Sequence, residues 1–285
     1  MKKQKQAINV LYPILVFWTN RKSFFSFLFL IVLPLLLISS GVWYFSFSYP
    51  ASRAISSVFI GIAYFLMFLF TVSFTVLYKI SREIEISFIK TLKLIPVISK
   101  KVALIAGGFA LLIIFIKELF FLAPYVLLII FPIVSFLSIY KSSVNTKELF
   151  AENKTYLSNP SGKGLIGKMI ILAVFLIIAV GVTNLILDII FSFAYNSFLF
   201  QILNTVKLFL RFFAFFILYL FANVYYADEN FSIPKEVNVA ALNILSEKKK
   251  EREKRTIKTR RDSKEKEINR FDQDGEYNRF EDTNF

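Results

Sequence analysis

The sequence predicts an all-α integral membrane protein with six transmembrane helices in three hairpins. Three observations predict it. The 285 residues are 56% hydrophobic and 18% aromatic, with 35 Phe, more than a water-soluble domain of this length carries. Six apolar runs, at about 24–47, 54–78, 102–117, 120–140, 169–194 and 198–226, approach or exceed the ~20 residues that cross a hydrocarbon core. The cations also alternate between sides. Segments 1–23, 79–101 and 141–168 hold sixteen Lys/Arg, and the opposite side holds only Arg53 and Lys117. That bias predicts the cytoplasmic membrane, crossed several times, with both termini cytoplasmic.

Taken in order, residues 1–23 begin MKKQKQ and continue into a short apolar run. A secretory leader would end at a small-residue cleavage site, but Arg21 and Lys22 stand there and Pro13 interrupts the run. An uncleaved, surface-lying amphipathic segment is the expectation. The membrane domain is expected over 24–226. Its first hairpin turns at Ser48–Arg53, its second near Lys117–Pro124 and its third at Tyr195–Ser197. The third apolar run is short, so Lys117 is expected to snorkel at its end.

The basic segments ahead of the second and third hairpins are expected to be interfacial helices on anionic lipid. In 79–101, Ile84, Phe88, Leu92 and Ile95 share a helical face, Lys90 and Lys93 flank it, and Pro96 is expected to stop the helix. In 141–168, Leu149, Phe150, Tyr156 and Leu157 form a weaker stripe, broken at Asn159-Pro160-Ser161-Gly162. From 227 onward a charged cytoplasmic tail is expected. It is helical after Ser232 and Pro234, then dense in charge over 247–268 and disordered at its end.

Residues 1–226 hold 20 Lys/Arg against 6 Asp/Glu, and the tail holds 14 of each. The net charge of +14 therefore belongs to the membrane part. Anionic lipid headgroups at the basic segments are the partners this predicts. A protein partner for the tail is expected too. The basic stretch 248–266 has no interleaved aromatics for base stacking, which argues against nucleic acid. Ala103 and Gly107 are spaced for close helix packing, which permits a homo-oligomer.

Enzyme chemistry finds little to stand on. The chain has no Cys and no His, which removes thiol catalysis, imidazole catalysis and the usual zinc sites. Asp188 is the one Asp within the apolar runs, whereas an aspartyl protease needs two carboxylates. Gly162-Lys163-Gly164-Leu165-Ile166-Gly167-Lys168 has phosphate-loop spacing, but Met169 replaces the hydroxyl that would hold Mg²⁺ and no strand precedes it. It is expected to be a flexible basic loop. Asp272-Gln273-Asp274-Gly275-Glu276 has its Gly too early for a calcium loop and lacks the closing Glu. The sequons at Asn153 and Asn230 fall on the cytoplasmic side, where glycosylation does not occur. No catalytic residue, metal or cofactor is expected.

What remains is a polar seam. Gly181, Asn184, Asp188 and Ser192 share a face of the fifth run, and Asn204, Lys207 and Arg211 share a face of the sixth, with Gln201 beside them. A cation at mid-membrane costs roughly 2.5–3.5 kcal/mol on insertion scales. An Asp188–Lys207 pair with a hydrogen-bonded or snorkelling Arg211 would offset that cost. The same five residues, Asn184, Asp188, Asn204, Lys207 and Arg211, could instead line a solute or ion path. Both readings stay open. The favoured function is a non-catalytic lipid-associated or protein-organising role, and a small-solute or ion transporter is the alternative.

The plan over residues 1–231 resembles the membrane domain of bacterial glycerophosphodiester phosphodiesterases and its stand-alone relatives. Three features carry the likeness. They are the N-terminal segment before the first hairpin, ISFIKTLKLIPVISKK before the third run, and LYLFANVYYADENF at the end of the last. Tyr225 and Tyr226 match the family's tyrosine pair, but Ala227 displaces Asp228 by one, and Glu229 or Asn230 stands where a basic residue is usual. The resemblance implies a six-helix bundle. The phosphodiesterase catalytic domain is absent, so its activity is not implied.

Overall fold

The computed structural model describes residues 11–45, 50–81, 85–119, 160–192, 197–227, 233 and 235–246. The chain divides into two compact units, Met1–Ala241 and Leu242–Phe285. The described part of the second is 242–246, the last turn of a short helix.

Among the described residues the fold is helical, with no strand. Helix α1 spans Leu11–Thr19 and ends at a turn on Asn20. Helix α2 (Arg21–Phe27) widens through a π turn, Leu28–Val32, into α3 (Leu33–Phe45). Pro34 explains the widening. A proline there has no N–H to give and its ring crowds the carbonyl four residues earlier, within the π turn. Helices α4 (Pro50–Ser81) and α6 (Pro160–Phe191) both start on proline, whose fixed φ suits the first helical position. Helix α5 spans Phe88–Leu119, α7 spans Ser197–Ala227, and α8 covers 235–246.

Four helical stretches are long and apolar enough to cross a membrane: Arg21–Val42, Ala54–Ser81, Ile170–Phe191 and Leu199–Phe221. They match the first, second, fifth and sixth expected runs. The fourth run, 120–140, lies outside the described residues, as do Ile84, 141–159 and 247–285.

Helix α4 is the centre. From Met67 to Leu77 every residue is buried, because α3, α5 and α7 all pack on it. Its partners are largely aromatic. The Phe24 ring meets Phe74 at 4.6 Å and Phe216 at 5.6 Å, and Phe27 stacks on Phe70 at 4.2 Å. Tyr64 meets Phe212 at 5.1 Å and Phe68 meets Tyr219 at 4.9 Å. The numbers rise together, so α4 and α7 run parallel.

Several expectations are corrected here. Pro96 does not stop a helix: α5 passes straight through it. The loss of one backbone donor is outweighed by a continuous buried stripe, Thr91, Leu94, Ile98, Val102, Ala106 and Ala110, at three- and four-residue spacing. The interfacial helix and the third apolar run are therefore one element lying along α4. Phe88, Leu92 and Ile95 are only half-buried, since the packed face lies to one side of them.

Lys93 and Lys100 are exposed on the face of α5 opposite its buried stripe. The segment Gly162–Lys168 is the opening of α6, not a loop, because Pro160 initiates the helix and leaves the glycines inside it. Likewise 50–53, expected in a turn, form the first turn of α4. Finally, α1 carries no charged residue, and both its buried and its exposed faces are apolar.

Candidate functional site

Helices α6 and α7 form a hairpin, and α6 packs principally on α7. Within that hairpin the structure brings two of the five seam residues together: Lys207 Nζ donates to Asp188 Oδ1 in an ion pair. The lysine side chain is 18% exposed and the aspartate 55%. Asp188 lies within a turn of the end of α6, at Phe191. The long lysine stem therefore runs from a deeper position on α7 up to a carboxylate near the helix end, as snorkelling requires.

The other three are placed differently. Asn184, one turn below Asp188, is half-buried, and its Oδ1 is enclosed without a hydrogen-bond partner among the described residues. Asn204 and Arg211 are half-buried on α7. Gln201, expected beside the seam, turns instead toward α3, where its Nε2 would lie 3.6 Å from a Cβ built on Gly41. That is an ordinary van der Waals distance, so an alanine would fit at position 41.

Three further polar features were not legible in the sequence. The first clasps α3 to α4. Ser39 and Ser56 hydroxyls lie 2.8 Å apart, and each also donates to the other's backbone carbonyl at 3.0 Å. Next to it, the Thr205 hydroxyl on α7 lies 2.7 Å from the Ser40 hydroxyl and 3.0 Å from the Gln201 carbonyl, and its single proton serves one of the two. All four hydroxyls are buried. In lipid, small hydroxyl residues allow close backbone approach and bond across helices.

The second is Asn20, the one amide side chain between Leu11 and Val42. It is buried, its Nδ2 donates to the Val16 carbonyl at 3.0 Å, and its Oδ1 accepts the Ile86 N–H at 2.7 Å. One side chain thereby ties the α1–α2 turn to the entrance of α5. Its isolation in an aromatic run is the signal that could have found it. The third is Asn223, fully buried on α7, with neither amide atom bonded among the described residues.

Gly107, read with Ala103 as a close-packing pair, has nothing within 4 Å of where its Cβ would lie among the described residues. Compared with known proteins, the chain matches no family model, no curated protein and no solved structure.

Proposed function

We propose that this chain is a non-catalytic multi-pass protein of the cytoplasmic membrane, with both termini cytoplasmic and a lipid-associated or protein-organising role. The observation that carries this is the closure of Lys207 on Asp188 within a single hairpin. A cation already neutralised by its neighbour acts as a clasp that makes the hairpin tolerable in lipid. The core around α4 is filled with aromatic rings, which supports a packed scaffold. The kinship with the phosphodiesterase membrane domains is likewise a proposal, resting on the quoted segments.

The alternative, a small-solute or ion transporter, is favoured by the enclosed Asn184 Oδ1, unbonded among the described residues, one turn from a half-exposed Asp188. Flux in proteoliposomes compared with a tail truncation separates the two. The cut should follow Ser246, because Val237 and Ala241 of α8 are buried. An organising protein loses its co-purifying partners on deletion of 247–285 and shows no ion or solute flux. Partners retained after truncation, together with flux that Asp188→Asn abolishes, would establish the transporter instead.

A further inference from the structure

The corner where α1, α2 and the start of α5 meet has a composition unlike the rest of the bundle. Helix α1 exposes Ile14, Leu15 and Trp18, the last 65% accessible. Arg21 lies over the Trp18 ring, 4.6 Å from its centroid. Lys22 is exposed beside it, and Ile89 and Lys90 follow on α5. Asn20 holds the two pieces together through its bond to the Ile86 N–H. Among the described residues 11–31 and 85–100, Glu85 is the sole acid, against the five cations Arg21, Lys22, Lys90, Lys93 and Lys100.

We propose that this corner is an anionic-phospholipid site. Arg21 and Lys22 meet the headgroup phosphate, and Trp18, Leu15 and Ile14 sit at the boundary between headgroups and acyl chains. The proposal rests on the membrane-protein reading above and gives its lipid association a location.

The chemistry fits this occupant on three counts. Tryptophan prefers the membrane interface, where its ring is in apolar surroundings and its N–H is wet. A guanidinium stacked on an indole face keeps its donors free in the ring-parallel fork that matches a phosphate. The excess of cations complements an anionic leaflet, where each basic residue near the surface strengthens binding to it about fivefold. A solvated protein partner would leave the exposed apolar face of α1 in water, whereas the bilayer boundary covers it.

Trp18 also supplies the assay, because the chain has only 2 Trp. In a full-length Trp43→Phe background, Trp18 emission reports its own surroundings alone. The protein is reconstituted in phosphatidylcholine vesicles containing a minor fraction of brominated phosphatidylglycerol, or the same fraction of brominated phosphatidylcholine. The site predicts several-fold stronger quenching by the brominated anionic lipid. Arg21→Gln with Lys22→Gln should equalise the two lipids, and Arg21→Lys with Lys22→Arg should keep most of the preference. Equal quenching in the parent would overturn the site. So would a preference that survives the Gln pair, or one that inorganic phosphate at matched ionic strength removes. The measurement involves neither flux nor the tail, so its failure is separable from failure of the proposed function.

Discussion

Replacing Asp188 by Asn removes the anion facing Lys207 while keeping the side chain's size. The lysine side chain is only 18% exposed, so its ammonium loses its neutralising partner in a mostly enclosed position. For a fully buried pair this costs about 3–5 kcal/mol. Asp188, however, is 55% exposed and lies within a turn of the end of α6, so solvent or headgroups recover part of that loss, and exposed pairs are worth at most about 1 kcal/mol. The expected destabilisation falls between these limits, at about 1–3 kcal/mol.

For a chain of this size that lowers the melting temperature by about 2–4 °C per kcal/mol. Lys207→Leu in the same molecule removes the stranded cation, and the double mutant should recover most of the loss. Melts of parent, both single mutants and the double mutant in detergent give the coupling directly. Additive losses would mean that the two residues do not interact energetically, and the clasp would have to be abandoned. If flux is found, a transport site predicts that the double mutant stays inactive even where it regains stability.

Asn20→Ala should destabilise by about 1–3 kcal/mol, because it strands the buried Ile86 N–H; Asn20→Asp keeps that acceptor but buries a carboxylate against the Val16 carbonyl, so it should also lower the melting temperature. Pro96→Ala restores a backbone donor inside α5 and should raise the melting temperature, since an interior proline costs about 3 kcal/mol relative to alanine. A fall would mean that α5 needs its proline. The chain has no Cys, so single cysteines report topology without background. An impermeant thiol reagent applied to intact cells should label Ala51→Cys and Ser197→Cys and spare Ser246→Cys. Labelling of position 246 from outside would invert the orientation.

How far the sequence could be read depended on the range of the interaction. The runs 24–47 and 54–78 could be placed because hydrocarbon thickness acts on local composition, and the structure sets apolar stretches at Arg21–Val42 and Ala54–Ser81. The pairing of Asp188 with Lys207 could be drawn because a short hairpin sets depth by counting residues. Pro96 was misread because a local rule was applied where the whole length of α4 was available to hold the helix. The bond from Asn20 to Ile86 spans 66 positions, and that between Ser40 and Thr205 spans 165. No local pattern announces either.

The sequence by itself determined that this chain is helical and belongs in a membrane. Length and apolarity decide that much, because a backbone in lipid must satisfy its own hydrogen bonds. Which helix stands at the centre was decided only in the tertiary structure. The most apolar of the four stretches, Ile170–Phe191 in α6, is only 6% buried within the chain, whereas 61% of the less apolar α4 window is buried. Lipid tails and protein interior are equally apolar, so the periodicity that separates core from surface in water has little to act on here. The ring contacts of Phe24, Phe27 and Tyr64 and the hydroxyl clasps at Ser39, Ser56 and Thr205 make that choice. They depend on shape and reach across helices, which a linear reading does not contain.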